Sequence, residues 1–95
     1  MSAIQYIGES GTVYWKSTEN PKLFHREDGP AIQYPIGSQC WYLMGKLHRE
    51  DGPAGIWRDL NTGQYTYEYF IHGKQYTEEE FKRHILKKNL QDLIK

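Results

Sequence analysis

The seven-residue word HREDGPA occurs twice in this 95-residue chain, at 25–31 and at 48–54, and nothing else in the sequence constrains the fold as tightly. A verbatim repeat with a 23-residue spacing implies one supersecondary unit per copy, each unit burying its apolar side against the next. The likeness extends beyond the word, with KLFHREDGPAIQY at 22–34 set against KLHREDGPAGIW at 46–57. A third, degenerate copy follows: WYLMGKLH at 41–48 is echoed by EYFIHGKQY at 68–76, which aligns Gly45 with Gly73 and Lys46 with Lys74. There the pattern stops and TEEEFKRH begins a helix, the atypical terminal unit that a repeat array needs as a cap.

The word itself reads as a stiff reversal between strands. Pro30 and Pro53 disfavour helix at the residue before them, Gly29 and Gly52 tolerate positive φ, and Asp28 and Asp51 can accept from turn amides. Further turns are expected at 9–11, 18–21, 35–38, Met44–Gly45, 60–63 and His72–Gly73. Thirteen of the fourteen aromatics precede residue 77 and fall between these turns, as in short strands. The strands predicted are 4–7, 12–16, 31–34, 39–43, 54–58 and 64–71. The fold class is therefore mostly β with a C-terminal α-helix: an antiparallel β-meander of repeated hairpins capped by one amphipathic helix. One domain spans 1–95, with the hairpin repeats in 1–76 and the helix in 77–95.

Thr77 with Glu80 forms a capping box at the helix start, where Glu78 and Glu79 also suit the helix dipole. Phe81 and Ile85 share one face of this helix, and Leu86, Leu90, Leu93 and Ile94 share another. One face suffices to dock on a small sheet. The second either lies under a curled sheet or forms an oligomer contact with another copy, and its four-then-three spacing favours the homo-oligomer.

Two kinds of constellation carry possible chemistry. The HRED segments place His25, Glu27 and Asp28 in one copy and His48, Glu50 and Asp51 in the other, a set that a metal-assisted hydrolase would use to activate water. Because the residues recur with the scaffold, the structural reading is preferred: His and Asp hold the turn, and Arg and Glu pair across neighbouring units. His72 and His84 read as surface or packing residues, and Cys40 as an inert buried thiol. No catalytic residue, metal site or cofactor is assigned. The second constellation is a ligand- or partner-binding set of Arg26, Trp41, Arg49, Trp57, Arg58, Tyr65, Tyr67 and Tyr69, since guanidinium and aromatic planes together grip nucleotides and protein surfaces alike. Alternation puts the three tyrosines on one face of their strand, either covering the core or offering a stacking surface. A second set of arginine roles stands beside this one, in which they cover aromatic surface and pair with Glu27, Glu50 and Asp59.

Twelve basic residues balance twelve acidic ones, which removes the case for bulk nucleic-acid or anionic-membrane binding. No apolar run approaches the ~20 residues of a membrane span, no secretory leader is recognisable, and a single cysteine suits a reducing compartment. A cytoplasmic location is the expectation.

The stretch WYLMGKLHREDGPA resembles a repeat of the form YxNGKxHRxDGPA found in small proteins of tailed bacteriophages and in longer arrays of giant viruses, which are MORN-like in style. The resemblance covers about 13–83 and includes the ending FIHGKQYTEEEF. Departures are an inserted Phe24, Met44 where Asn is usual, and the long terminal helix. It implies a viral origin and a β-hairpin array, and it implies no shared enzymatic activity. On this reading the chain is a non-catalytic phage accessory (counter-defence) protein in the host cytoplasm that binds and blocks a host defence protein. The alternatives are a sponge for a nucleotide second messenger of host immunity and the metal-assisted hydrolase.

Overall fold

The structure, a computed structural model, describes residues 3–93. The elements in chain order are β1 (Ala3–Ile7), β2 (Val13–Ser17), β3 (Ile32–Gln33), β4 (Gln39–Cys40), β5 (Tyr42–Leu43), β6 (Lys46–Leu47), β7 (Gly55–Arg58), β8 (Tyr65–Ile71), β9 (Lys74–Tyr76) and α1 (Glu78–Leu93). Seven strands form one antiparallel sheet in the order β1-β2-β3-β4-β7-β8-β9, and β5 pairs with β6 as a separate hairpin. The predicted class, mostly β in an antiparallel meander with one C-terminal helix, is the architecture found. The molecule is a slab, 48 × 38 × 17 Å, so most side chains lie near one of two broad faces.

Register defines those faces, because directly opposed residues point the same way. Tyr6, Tyr14, Ile32, Cys40, Gly55 and Glu68 form one continuous row across the sheet. Rings pave this aromatic face: Tyr6 stacks on Tyr14, Tyr14 meets Phe24 edge-on, and Phe24 packs against Tyr42. Beneath the rings, Ile32 and Cys40 are buried. The opposite face carries Trp15, Trp41 and Tyr69, the two HREDGPA words, and the helix, whose Phe81 is buried against Tyr69 with ring centroids 4.9 Å apart.

The two copies of the word are wired identically. In the first, the His25 amide donates to the Trp15 carbonyl, the Ala31 amide to Cys40, and the Gly45 amide to Phe24. In the second, the His48 amide donates to Trp41, Ala54 to Glu68, and Gly73 to Leu47. Phe24 thus stands where Leu47 stands and is no insertion. The extra length lies in the loop before it, since Trp15 precedes His25 by ten positions and Trp41 precedes His48 by seven. Ser17 organises that longer loop by accepting from the amides of Glu19 and Asn20.

Each histidine then fixes the next hairpin. His25 Nδ1 accepts from the Met44 amide at 3.0 Å, and His48 Nδ1 accepts from the His72 amide at 2.9 Å. Both acceptors hold two-residue turns with positive φ at each central residue, 47° and 83° at Met44–Gly45 and 49° and 83° at His72–Gly73, which is the type I′ geometry that matches strand twist. Asn adopts this conformation more readily than Met, so Met44→Asn is expected to raise stability by about 0.5–1 kcal/mol, read as a melting temperature several degrees higher.

Other expectations change. Gly29 and Gly52 do not have positive φ; they are small because a Cβ there would lie 2.9 Å from Arg26 Cζ and 3.0 Å from Arg49 Cζ. Asp28 and Asp51 accept from the side chains of those arginines within their own unit, where turn amides were the expected donors. The strand predicted at 39–43 breaks at Trp41, and the short strands β6 and β9 were not anticipated. Tyr69 alone of the tyrosine stripe is a packing residue; Tyr65 and Tyr67 are exposed and do not cover the core.

Candidate functional site

The arginines of the repeated word lie flat on the tryptophan that opens each unit. Arg26 Cζ sits 4.2 Å from the Trp15 ring centre and Arg49 Cζ 3.9 Å from that of Trp41. Each guanidinium also donates Nε–H to the aspartate two residues on, and Nη1–H to the carbonyl of the proline four residues on. Ring, guanidinium, carboxylate and carbonyl form a clasp that shuts the loop. In the third unit Tyr69 takes the tryptophan's place, and the helix supplies the cover: Phe81 lies on the ring and Glu78 accepts from the Tyr69 hydroxyl at 2.8 Å. That bond holds the Tyr69 hydroxyl above its usual range and the Glu78 carboxyl below its own.

Between the two clasps runs a groove of about 560 Å³, bordered by Arg26, Glu27, Asp28, Trp41, Arg49 and Glu50 among others. Three of the expected binding residues, Arg26, Trp41 and Arg49, therefore do meet. Their charges are already matched: Arg26 with Asp28 at 3.0 Å, Arg49 with Asp51 at 2.8 Å, and Glu50 with Lys88 from the helix. The contact with Lys88 is the main reason the Glu50 carboxyl is held below its usual range, and that with Arg49 does the same for Asp51. A phosphate entering here would meet two arginines whose charge a carboxylate already offsets.

The histidines bear on metal chemistry through their tautomer. A neutral imidazole whose Nδ1 accepts an amide proton carries its own proton on Nε2, so neither His25 nor His48 offers a lone pair to a metal in this arrangement. No group of three or more metal-ligating side chains converges among the described residues. Burial and the adjacent His72 ring, stacked at 4.2 Å, hold the His48 imidazole below its ordinary value. Burial, with Glu68 nearby, pushes the Cys40 thiol up to about 11, away from any nucleophilic form.

The remaining expected residues divide between the faces. Arg58, Tyr65 and Tyr67 belong to the clasp-bearing face, Arg58 opposite Tyr65 and Tyr67 bordering a groove with Thr77, Glu78 and Glu80 of the helix start. Arg58 donates to the Ile36 carbonyl, Tyr65 lies beside Gly37, and the exposures of Tyr65 and Tyr67 are 46% and 54%. Exposed Ile36 and Leu60 sit in the loops near Arg58. Trp57 lies on the aromatic face, where its indole N–H donates to Glu68 and its ring meets Tyr34. Ile36 and Leu60 were not singled out from sequence, because an isolated apolar residue in a turn carries no periodic signal. On the helix, Leu86, Leu90 and Leu93 are exposed at 61%, 54% and 79%, while Ile94 lies outside the described residues. No helix among the described residues is long and apolar enough to cross a membrane.

Fold and surface together define a clasped β-hairpin array with an exposed tyrosine and arginine patch. Comparison of the chain with protein-family models, with curated proteins and with solved structures finds no match.

Proposed function

We propose that this is a non-catalytic accessory protein of a virus that binds a host protein in the host cytoplasm and blocks it, through the patch of Arg58, Tyr65 and Tyr67. The observation that carries this reading is the pair of tyrosines held on a rigid seven-residue strand, more than two-fifths exposed, with an arginine beside them. Tyr and Arg are the residues that dominate binding energy at protein interfaces, and a preformed strand loses little entropy when it docks. Nucleotide sequestration is the weaker reading, because Arg26 and Arg49 are occupied within their clasps.

Replacing Tyr67 with a photo-crosslinking phenylalanine analogue in host cells should give one discrete adduct. The same analogue at Tyr6, on the aromatic face, should give none. Arg58→Ala should diminish the Tyr67 adduct severalfold, and equal labelling from both faces would contradict the assignment.

Self-association through the helix is part of the proposal, since Leu86, Leu90 and Leu93 present an apolar stripe that the chain itself leaves uncovered. Truncation after Lys88 retains the contact with Glu50 but removes two of these leucines. Native mass measurement should show a homo-oligomer for the full chain and a monomer for the truncated one. A monomeric full-length chain, or an unchanged oligomer after truncation, would exclude the helix contact.

A further inference from the structure

The two copies of HREDGPA are identical in sequence, yet they leave different groups unsatisfied. Among the described residues, the buried side-chain nitrogens without a hydrogen-bond partner are His25 Nε2 and Trp15 Nε1, both in the first unit. His25 is 2% exposed, and because its Nδ1 accepts from the Met44 amide, its Nε2 carries a proton. The carboxylate oxygen Glu27 Oε1 lies 3.6 Å away, too far for a hydrogen bond. A buried donor left without an acceptor is destabilising, so the first unit has a group that a bound acceptor would satisfy. In the second unit the His72 ring stacks on His48, and Lys88 engages Glu50.

The imidazole that carries this donor borders open space. His25, Glu27, Leu43, Met44, Lys46 and His72 line a cavity of about 450 Å³, within the size range of small-molecule sites. Its formal charges, Glu27 and Lys46, offset each other, which favours an uncharged ligand. At His25 and Glu27 a donor and an acceptor stand side by side, 3.6 Å apart. A carboxamide or lactam presents the complementary edge, with its carbonyl oxygen and amide nitrogen about 2.3 Å apart given standard bond lengths. Leu43 and Met44 supply apolar contact for the rest of the molecule.

We infer that this cavity binds a small uncharged ligand through a carboxamide or lactam edge, the carbonyl accepting from His25 Nε2–H and the amide N–H donating to Glu27. The site is separate from the Arg58, Tyr65 and Tyr67 patch and does not depend on the target-binding reading.

The test uses the full-length, isotope-labelled protein and nicotinamide as probe, followed by proton–nitrogen NMR. Expected are saturable shifts at the His25 imidazole N–H and the Met44 amide. Binding should weaken at least about tenfold, the equivalent of one lost hydrogen bond, in Glu27→Ala and for N,N-diethylnicotinamide, which has no amide proton. Glu27 is 55% exposed, so its substitution leaves the fold in place where a His25 substitution would release the Met44 turn. The inference is overturned by an absence of shifts up to the solubility of the probe, by equal binding to Glu27→Ala, or by a long-lived water on His25 Nε2 that the probe does not displace.

Discussion

Arg49→Ala should lower stability by on the order of 2–3 kcal/mol, a fall in melting temperature of at least about 10 °C for a domain of this size. The estimate combines the stack on Trp41 at 3.9 Å, about 1 kcal/mol, with the bond to the Pro53 carbonyl, about 1–1.5 kcal/mol. The pairing with Asp51 adds under ~1 kcal/mol, because that carboxylate is 85% exposed and screened by solvent. Arg49→Lys should recover little, since an ammonium cannot lie flat on the ring and lacks the rigid planar fork that reaches Asp51 and the Pro53 carbonyl together. Arg58→Ala is the control: its bond to the Ile36 carbonyl is exposed, and its loss should cost under ~1 kcal/mol. Thermal melts of the three variants compare these roles, and an Arg49→Ala protein that melts within a degree or two of the parent would refute the clasp.

His48→Leu should cost about 2–3 kcal/mol although leucine fills similar space, because the His72 amide loses its acceptor and His72 loses its ring partner. Denaturant unfolding measures the cost, and retained parental stability would mean that the Nδ1 contact contributes nothing. The same residue gives the protein a pH dependence of defined sign. His48 in the folded state lies below its ordinary 6.5, so above that pH both states hold it neutral and its contribution is complete. As pH falls below 6.5 the unfolded chain takes up a proton that the fold refuses, and stability declines until the folded value is passed. Glu50 and Asp51, both held low, then withdraw their contributions below their ordinary 4.5 and 3.8. The His48→Leu variant should lack the first decline and keep the second.

Some of this was legible in the residues. The capping box of Thr77 and Glu80 marks the helix start, and the two bonds it predicts are both present. Met44–Gly45 and His72–Gly73 were readable as turns from glycine and from the echo between copies. The clasps were not readable, because Trp15 and Trp41 stand at different distances from their histidines and no fixed spacing links ring to guanidinium. The division of the site between faces was also hidden. Strand parity puts Trp57 and Arg58 on opposite sides, but which face received the helix depended on Tyr69 occupying the place that tryptophan holds in the earlier units. Leu47 and Gln75 lie in pieces of two and three residues, too short for any period to show. The tyrosine stripe had two readings because alternation identifies a shared face without saying what covers it.

The central claim is that each histidine of the repeated HREDGPA word serves as the acceptor that locks the hairpin of the next unit, so that binding of the host target falls to the exposed surfaces. Long-range proton–nitrogen NMR of the imidazoles at neutral pH tests it most directly. The account predicts that His25 and His48 both hold the tautomer protonated at Nε2, with Nδ1 bonded to the amides of Met44 and His72 and those two amides protected from exchange. Imidazoles that interconvert freely between tautomers, with Met44 and His72 amides exchanging like open turns, would contradict it and return the two HRED segments to the role of available chemistry.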